Sequence, residues 1–115
     1  MLSFRYAAKG IGRFFREEAN ARIHLAATAA VIIGIFYFHI TGAELFALLI
    51  VTGMVWAAEI MNTAIENLVD LVSPGFNPKA GLIKDLAAGA VLVTSITALI
   101  TGLIIFLPKI LTHVL

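Results

Sequence analysis

Three long stretches of this chain carry no lysine, arginine, aspartate or glutamate: Ile23–Ala43, Leu45–Ala58 and Leu86–Pro108. A helix that crosses a bilayer needs about 20 mostly apolar residues. The first and third stretches meet that length outright. The second is shorter, but Met54, Trp56, Ala57 and Ala58 carry its helix onward. With 115 residues, 61% of them hydrophobic and 13% charged, the chain departs far from a soluble domain, where about 25% of residues are charged. So short a chain cannot hide that much apolar surface from water, and disorder needs the opposite composition. The expectation is an all-α membrane protein, one domain over 1–115. An N-terminal surface helix at about 2–16 precedes three transmembrane helices at about 22–41, 43–72 and 82–113.

The first segment, Leu2–Arg16, places Phe4, Ala7, Ala8, Ile11, Phe14 and Phe15 near one helical face. Arg5, Lys9, Arg13 and Arg16 lie largely elsewhere, the pattern of a helix lying among lipid headgroups. With Arg22, these basic residues all precede the first span, and Lys79 and Lys84 lie between the second and third. The turn around Ile40–Glu44 has no basic residue and the tail has only Lys109. The excess of positive charge therefore puts the N-terminus and the second loop in the cytoplasm. That loop, Ser73-Pro74-Gly75-Phe76-Asn77-Pro78, is rich in turn residues.

The informative polar stretch runs from Glu59 to Asp70. Glu59, Asn62, Glu66 and Asp70 share one face of a helix whose other faces are apolar. From Ala43 to Glu59 is about 24 Å of helix rise, against a hydrocarbon core about 30 Å thick. Glu59 therefore lies just inside the cytoplasmic edge, with Glu66 about 10 Å further out. An ionisable group at that depth must face protein or a wet cavity. Three roles fit the stripe: a solvated helix end, a polar network between helices, or a site for magnesium and phosphate. Mg²⁺ takes oxygen ligands, usually one or two carboxylates plus substrate phosphates. Lys84-Asp85, opening the third span, and Glu17, Glu18 and Arg22, before the first, lie at the same level.

The remaining signals exclude more than they assign. No cysteine is present, which removes disulfides and thiol chemistry. The net charge of +1 is too small for a nucleic-acid partner. No phosphate-binding GxxxxGK[ST] loop occurs, and His24, His39 and His113 are too scattered for zinc. Gly53, Ala57 and Ala87–Ala90 are small residues suited to close helix packing. A cation pathway is disfavoured, since a pore needs polar groups through the full bilayer and the stripe stops near one edge.

Glu59-x-x-Asn62-Thr63-Ala64-Ile65-Glu66-x-x-Val69-Asp70, followed by Lys84-Asp85-x-Ala87-Ala88-Gly89-Ala90-Val91, resembles the bacterial diacylglycerol kinase/undecaprenol kinase family. The resemblance covers nearly the whole chain. It implies transfer of the γ-phosphate of ATP, with Mg²⁺, to a membrane lipid alcohol. It also implies a homotrimer in the bacterial cytoplasmic membrane, with active sites between subunits. Matched residue by residue, Glu59 takes the position of the general base and Asn62 a supporting one. Glu18 and Glu66 match metal-binding carboxylates that also contact the nucleotide. Lys84 and Asp85 match nucleotide contacts, with Tyr6, Gly75 and Asn77 as weaker ones, and Arg22 joins Glu59 near the lipid substrate. The short N-terminus, His24 in place of an acid, and the ending Ile104-Ile105-Phe106-Leu107-Pro108-Lys109 are more similar to the Gram-positive undecaprenol kinases than to the diacylglycerol kinases.

Overall fold

The computed structural model describes residues 2–115 as four α-helices: α1 (Leu2–Glu17), α2 (Ala19–Tyr37), α3 (Gly42–Val72) and α4 (Pro78–Val114). Helices α2, α3 and α4 are each long and apolar enough to cross a membrane. At 1.5 Å per residue, α3 and α4, with 31 and 37 residues, are about 46 and 55 Å long. Both exceed a hydrocarbon core of about 30 Å, so each carries several turns outside it.

The breaks between helices have local causes. Glu18 leaves helical geometry at φ −97° and ψ 119°, which separates α1 from α2 without any glycine or proline. The second break uses positive φ at His39 and Gly42, 54° and 64°, values that glycine adopts at little cost. The third is closed by Asn77, whose side chain accepts a hydrogen bond from the Lys79 N–H at 2.9 Å, with Pro78 starting α4. This is the arrangement that satisfies an orphan amide at a helix start.

Two boundaries differ from the sequence expectation. The first span, expected at about 22–41, begins at Ala19 and stops at Tyr37. The left-handed turn at His39 folds Ile40 inward, where it is 4% exposed, instead of continuing the helix. The third span, expected from about residue 82, begins at Pro78 because the Asn77 cap and the proline nucleate it earlier. Lys84-Asp85 therefore lies inside α4 rather than at its start.

Side-chain pairs mark the register of the bundle. Lys84 bonds Asp70 beside the α3–α4 loop, and Lys109 bonds Glu44 at 3.0 and 3.1 Å at the opposite end. Helices α3 and α4 thus run antiparallel over their length. His24 to Glu59 and Thr28 to Trp56 place α2 antiparallel to α3 in the same way. The α3–α4 loop, α1 and the start of α2 share one end of the bundle, and the α2–α3 turn and the C-terminus share the other.

The far-end core is Ile40, Leu48 and Ile105, surrounded by Val31, Ile35, Phe38, Leu45, Ala47 and Phe106. Near the other end, Phe14 is buried and Phe14 and Phe15 pack on Trp56 at 6.2 and 5.1 Å, which ties α1 to α3. Little else is enclosed. Ile33, Phe36, Phe46, Leu49, Leu92, Leu99 and Ile104 all face outward, as expected when lipid or another subunit is the solvent. Within α4 the hydroxyls of Thr97 and Thr101 donate to the carbonyls of Val93 and Thr97, so they need no water.

Gly34 is where α2 meets α4. A Cβ there would lie 2.7 Å from the Phe106 ring. Gly34→Val should therefore destabilise the bundle by about 1–3 kcal/mol, the usual cost of overpacking. Phe106→Leu should recover part of the loss. Thermal unfolding in detergent micelles checks both; equal stability of Gly34→Val and parent would contradict this packing.

Candidate active site

Among the described residues, Glu59 is the one buried charged side chain, 6% exposed on α3. Its Oε1 lies 2.7 Å from Nε2 of His24 on α2, and with the carboxylate ionised the imidazole N–H donates. A buried carboxylate without such a partner carries a desolvation cost of several kcal/mol. Around the pair, Trp56 Nε1 donates to the Thr28 hydroxyl at 2.9 Å, and that hydroxyl donates to the His24 carbonyl at 2.8 Å. The His24 ring meets the Trp56 ring edge-on at 6.0 Å.

One turn beyond Glu59, Asn62 Nδ2 donates to Glu66 Oε1 at 3.1 Å. Asn62 Oδ1 is buried and accepts nothing within the chain. Buried acceptors are rarely left so, and this one lies beside a half-buried carboxylate. An amide oxygen next to a carboxylate is the donor set that a hard cation such as Mg²⁺ takes. Glu18 lies elsewhere, in a pocket of about 220 Å³ between α1 and α3, with Arg13, Glu17, Thr63 and Asn67 on its wall. No group of three His, Cys, Asp or Glu side chains able to hold a metal forms among the described residues.

Of the residues expected at a nucleotide, Lys84, Gly75 and Asn77 come together at one pocket. Lys84 pairs with Asp70 beside a pocket of about 260 Å³ that Gly75 and Asn77 help to line. The Asn77 side chain is engaged as the α4 cap. Asp85 is exposed next to Lys84, Tyr6 is exposed on α1, and Arg22 is exposed on the first turn of α2. The structure thus joins Glu59 to His24, Asn62 to Glu66, and Lys84 to the pocket of Gly75 and Asn77, with Glu18 in a separate pocket.

Sequence reasoning missed His24, Thr28, Trp56, Thr63 and Asn67. Part of the signal was present: Thr63 and Asn67 continue from Glu59 at four-residue spacing, and His24 and Thr28 stand one turn apart.

Residues 5–106 match the prokaryotic diacylglycerol kinase family. The undecaprenol kinase of Bacillus subtilis (strain 168) is 41% identical over 107 residues, covering 93% of this chain and 87% of that protein. The diacylglycerol kinase of a Synechocystis species is 37% identical over 113 residues, covering 97% of this chain and 65% of that longer protein. The matched region includes Glu59, His24 and the whole polar stripe.

The Lys84–Asp70 pair is open to solvent, with side chains 38% and 62% exposed. Exposed pairs contribute roughly 0–1 kcal/mol. Asp70→Asn should therefore change stability by less than about 1 kcal/mol in thermal unfolding. A larger loss would show that this pair carries the α3–α4 register.

Proposed function

The chain belongs to the prokaryotic diacylglycerol kinase family and is a lipid kinase, a phosphotransferase with an alcohol acceptor; we propose that it transfers the γ-phosphate of ATP to undecaprenol. The observation that carries the site assignment is Glu59: a buried carboxylate at interface depth, with one oxygen engaged by His24. The relative named as an undecaprenol kinase, similar over nearly the whole length of both chains, supports the choice of substrate. The Synechocystis relative supports diacylglycerol as the second reading.

A lipid alcohol anchors its tail in the bilayer and offers its hydroxyl at the edge. Glu59 is the base in this reading. As the hydroxyl oxygen forms its bond to the γ-phosphorus and the bond from that phosphorus to the ADP oxygen breaks, the hydroxyl proton passes to the unengaged Glu59 oxygen. Asn62 supports this geometry by orienting Glu66, one turn away. Glu66 and Glu18 are the carboxylates that would hold Mg²⁺, which when bound neutralises phosphate charge during transfer. Lys84 and Asp85, with Tyr6, Gly75 and Asn77, would contact the nucleotide, and Arg22 the lipid substrate near its head. Glu18 lies in the pocket between α1 and α3, apart from the Glu66–Asp70 face on which Lys84 docks, which favours a homotrimer whose sites form between subunits. The basic residues around α1 and the α3–α4 loop favour a bacterial cytoplasmic membrane, with the N-terminus and the site facing the cytoplasm.

Glu59→Gln keeps the shape and removes the proton acceptor. It should lower kcat by about 10²–10⁴-fold, the usual span for a general base, with ATP affinity little changed. Near-normal turnover would contradict the base role. Glu66→Gln and Glu18→Gln should each weaken binding of MgATP while the assembly stays intact, since Mg²⁺ prefers a carboxylate to a neutral amide. Calorimetric titration of the purified variants measures this; unchanged magnesium dependence in both would remove them from the metal site. Offered undecaprenol and diacylglycerol together in mixed micelles with labelled ATP, the protein should label undecaprenol first. Preferential labelling of diacylglycerol would establish the second reading.

A further inference from the structure

We propose that His24 is the positioning residue of the reaction: it holds one oxygen of Glu59 so that the other points at the lipid hydroxyl. The inference rests on the reading of Glu59 as the base. A glutamate on a helix has several rotatable bonds, and a base must keep its acceptor oxygen within hydrogen-bond reach of the proton it takes. Among the described residues Glu59 has one hydrogen-bond partner, His24 Nε2 at 2.7 Å. That partner comes from a different helix, so the carboxylate is fixed between α2 and α3 rather than by its own backbone.

His24 is itself held. Its ring packs edge-on against Trp56 at 6.0 Å. Trp56 is anchored by its N–H to the hydroxyl of Thr28, one turn along α2, and that hydroxyl is bonded to the His24 carbonyl. Trp56 lies on α3, one turn before Glu59. Two cross-links one turn apart, His24 to Glu59 and Thr28 to Trp56, therefore lock the facing turns of the two helices. The two side chains of the pair are 23% and 8% exposed, so water offers little competing hydrogen bonding to the carboxylate. An imidazole suits this place because it donates from the tip of a rigid ring and adds no fixed charge when neutral.

The test compares His24→Phe, which keeps a ring and removes the donor, with His24→Gln, whose amide reaches a similar point and still donates. Turnover is measured at saturating ATP and lipid alcohol in purified, assembled protein. His24→Phe should lower kcat by about 10²-fold, the scale of loss from misplacing a reacting group by about 1 Å, with the KM for ATP within twofold of the parent. His24→Gln should recover most of the loss. In a Glu59→Gln background His24→Phe should cause no further loss, because residues that act as one unit are non-additive. If His24→Phe does not assemble, His24→Asn, whose amide is too short to reach Glu59, carries the same comparison. Parent-like kcat in the variant lacking the donor, or a full further loss in the Glu59→Gln background, would overturn the proposal. Loss of turnover in Glu59→Gln with none in His24→Phe would overturn the positioning role alone. Turnover that survives Glu59→Gln would overturn the base reading, and the positioning role with it.

Discussion

A carboxylate buried between two helices long enough to span a membrane is the constraint around which the rest of this bundle is arranged. Glu59 has apolar residues before it on α3, and its ionised form is tolerated only with a partner that donates. The backbone N–H groups of its own helix are spent on the ladder, so the donor is a side chain. It comes from α2 as His24. The pairing requires α2 and α3 to face one another at a fixed register, and the Thr28–Trp56 bond repeats the requirement one turn away. The same Trp56 receives Phe14 and Phe15, so the surface helix is anchored beside the carboxylate.

The two ends of the bundle differ in what holds them. At the far end, Ile40, Leu48 and Ile105 close an apolar core, and Lys109 bonds both oxygens of Glu44. At the other end aromatic contacts and polar pairs replace the apolar core, and the helices stand apart enough to leave a pocket between α1 and α3. An apolar core at one end and polar pairs at the other suit a protein that binds a long lipid along its side and does chemistry at its head.

Much of this was legible in the residues. Long uncharged stretches gave the three spans, because lipid forces backbone groups into helices. The turn residues Ser73–Pro78 marked the break between α3 and α4, and the three- and four-residue spacing of Glu59, Asn62, Glu66 and Asp70 marked the polar face. What was not legible depends on how helices face each other. His24 is 35 residues from Glu59, and its role follows from a register set by the left-handed turn at His39 and Gly42. The break at Glu18 falls within the gap expected between 2–16 and 22–41, although no glycine or proline announces it. Residues that share one level of the membrane need not share one wall. Glu18 and Glu66 lie at similar heights along the spans, yet Glu18 opens onto the pocket that Thr63 and Asn67 line, while Glu66 bonds Asn62 on another face of α3.

The central claim is that this arrangement directs a phosphoryl group to a lipid hydroxyl at the membrane edge and away from water. Following the γ-phosphate by ³¹P nuclear magnetic resonance, in bilayer nanodiscs holding the full chain, undecaprenol, ATP and Mg²⁺, tests it most directly. The account predicts a lipid phosphomonoester appearing in step with ADP, with little inorganic phosphate. ATP consumed to inorganic phosphate without a lipid phosphomonoester, or left unconsumed, would contradict it.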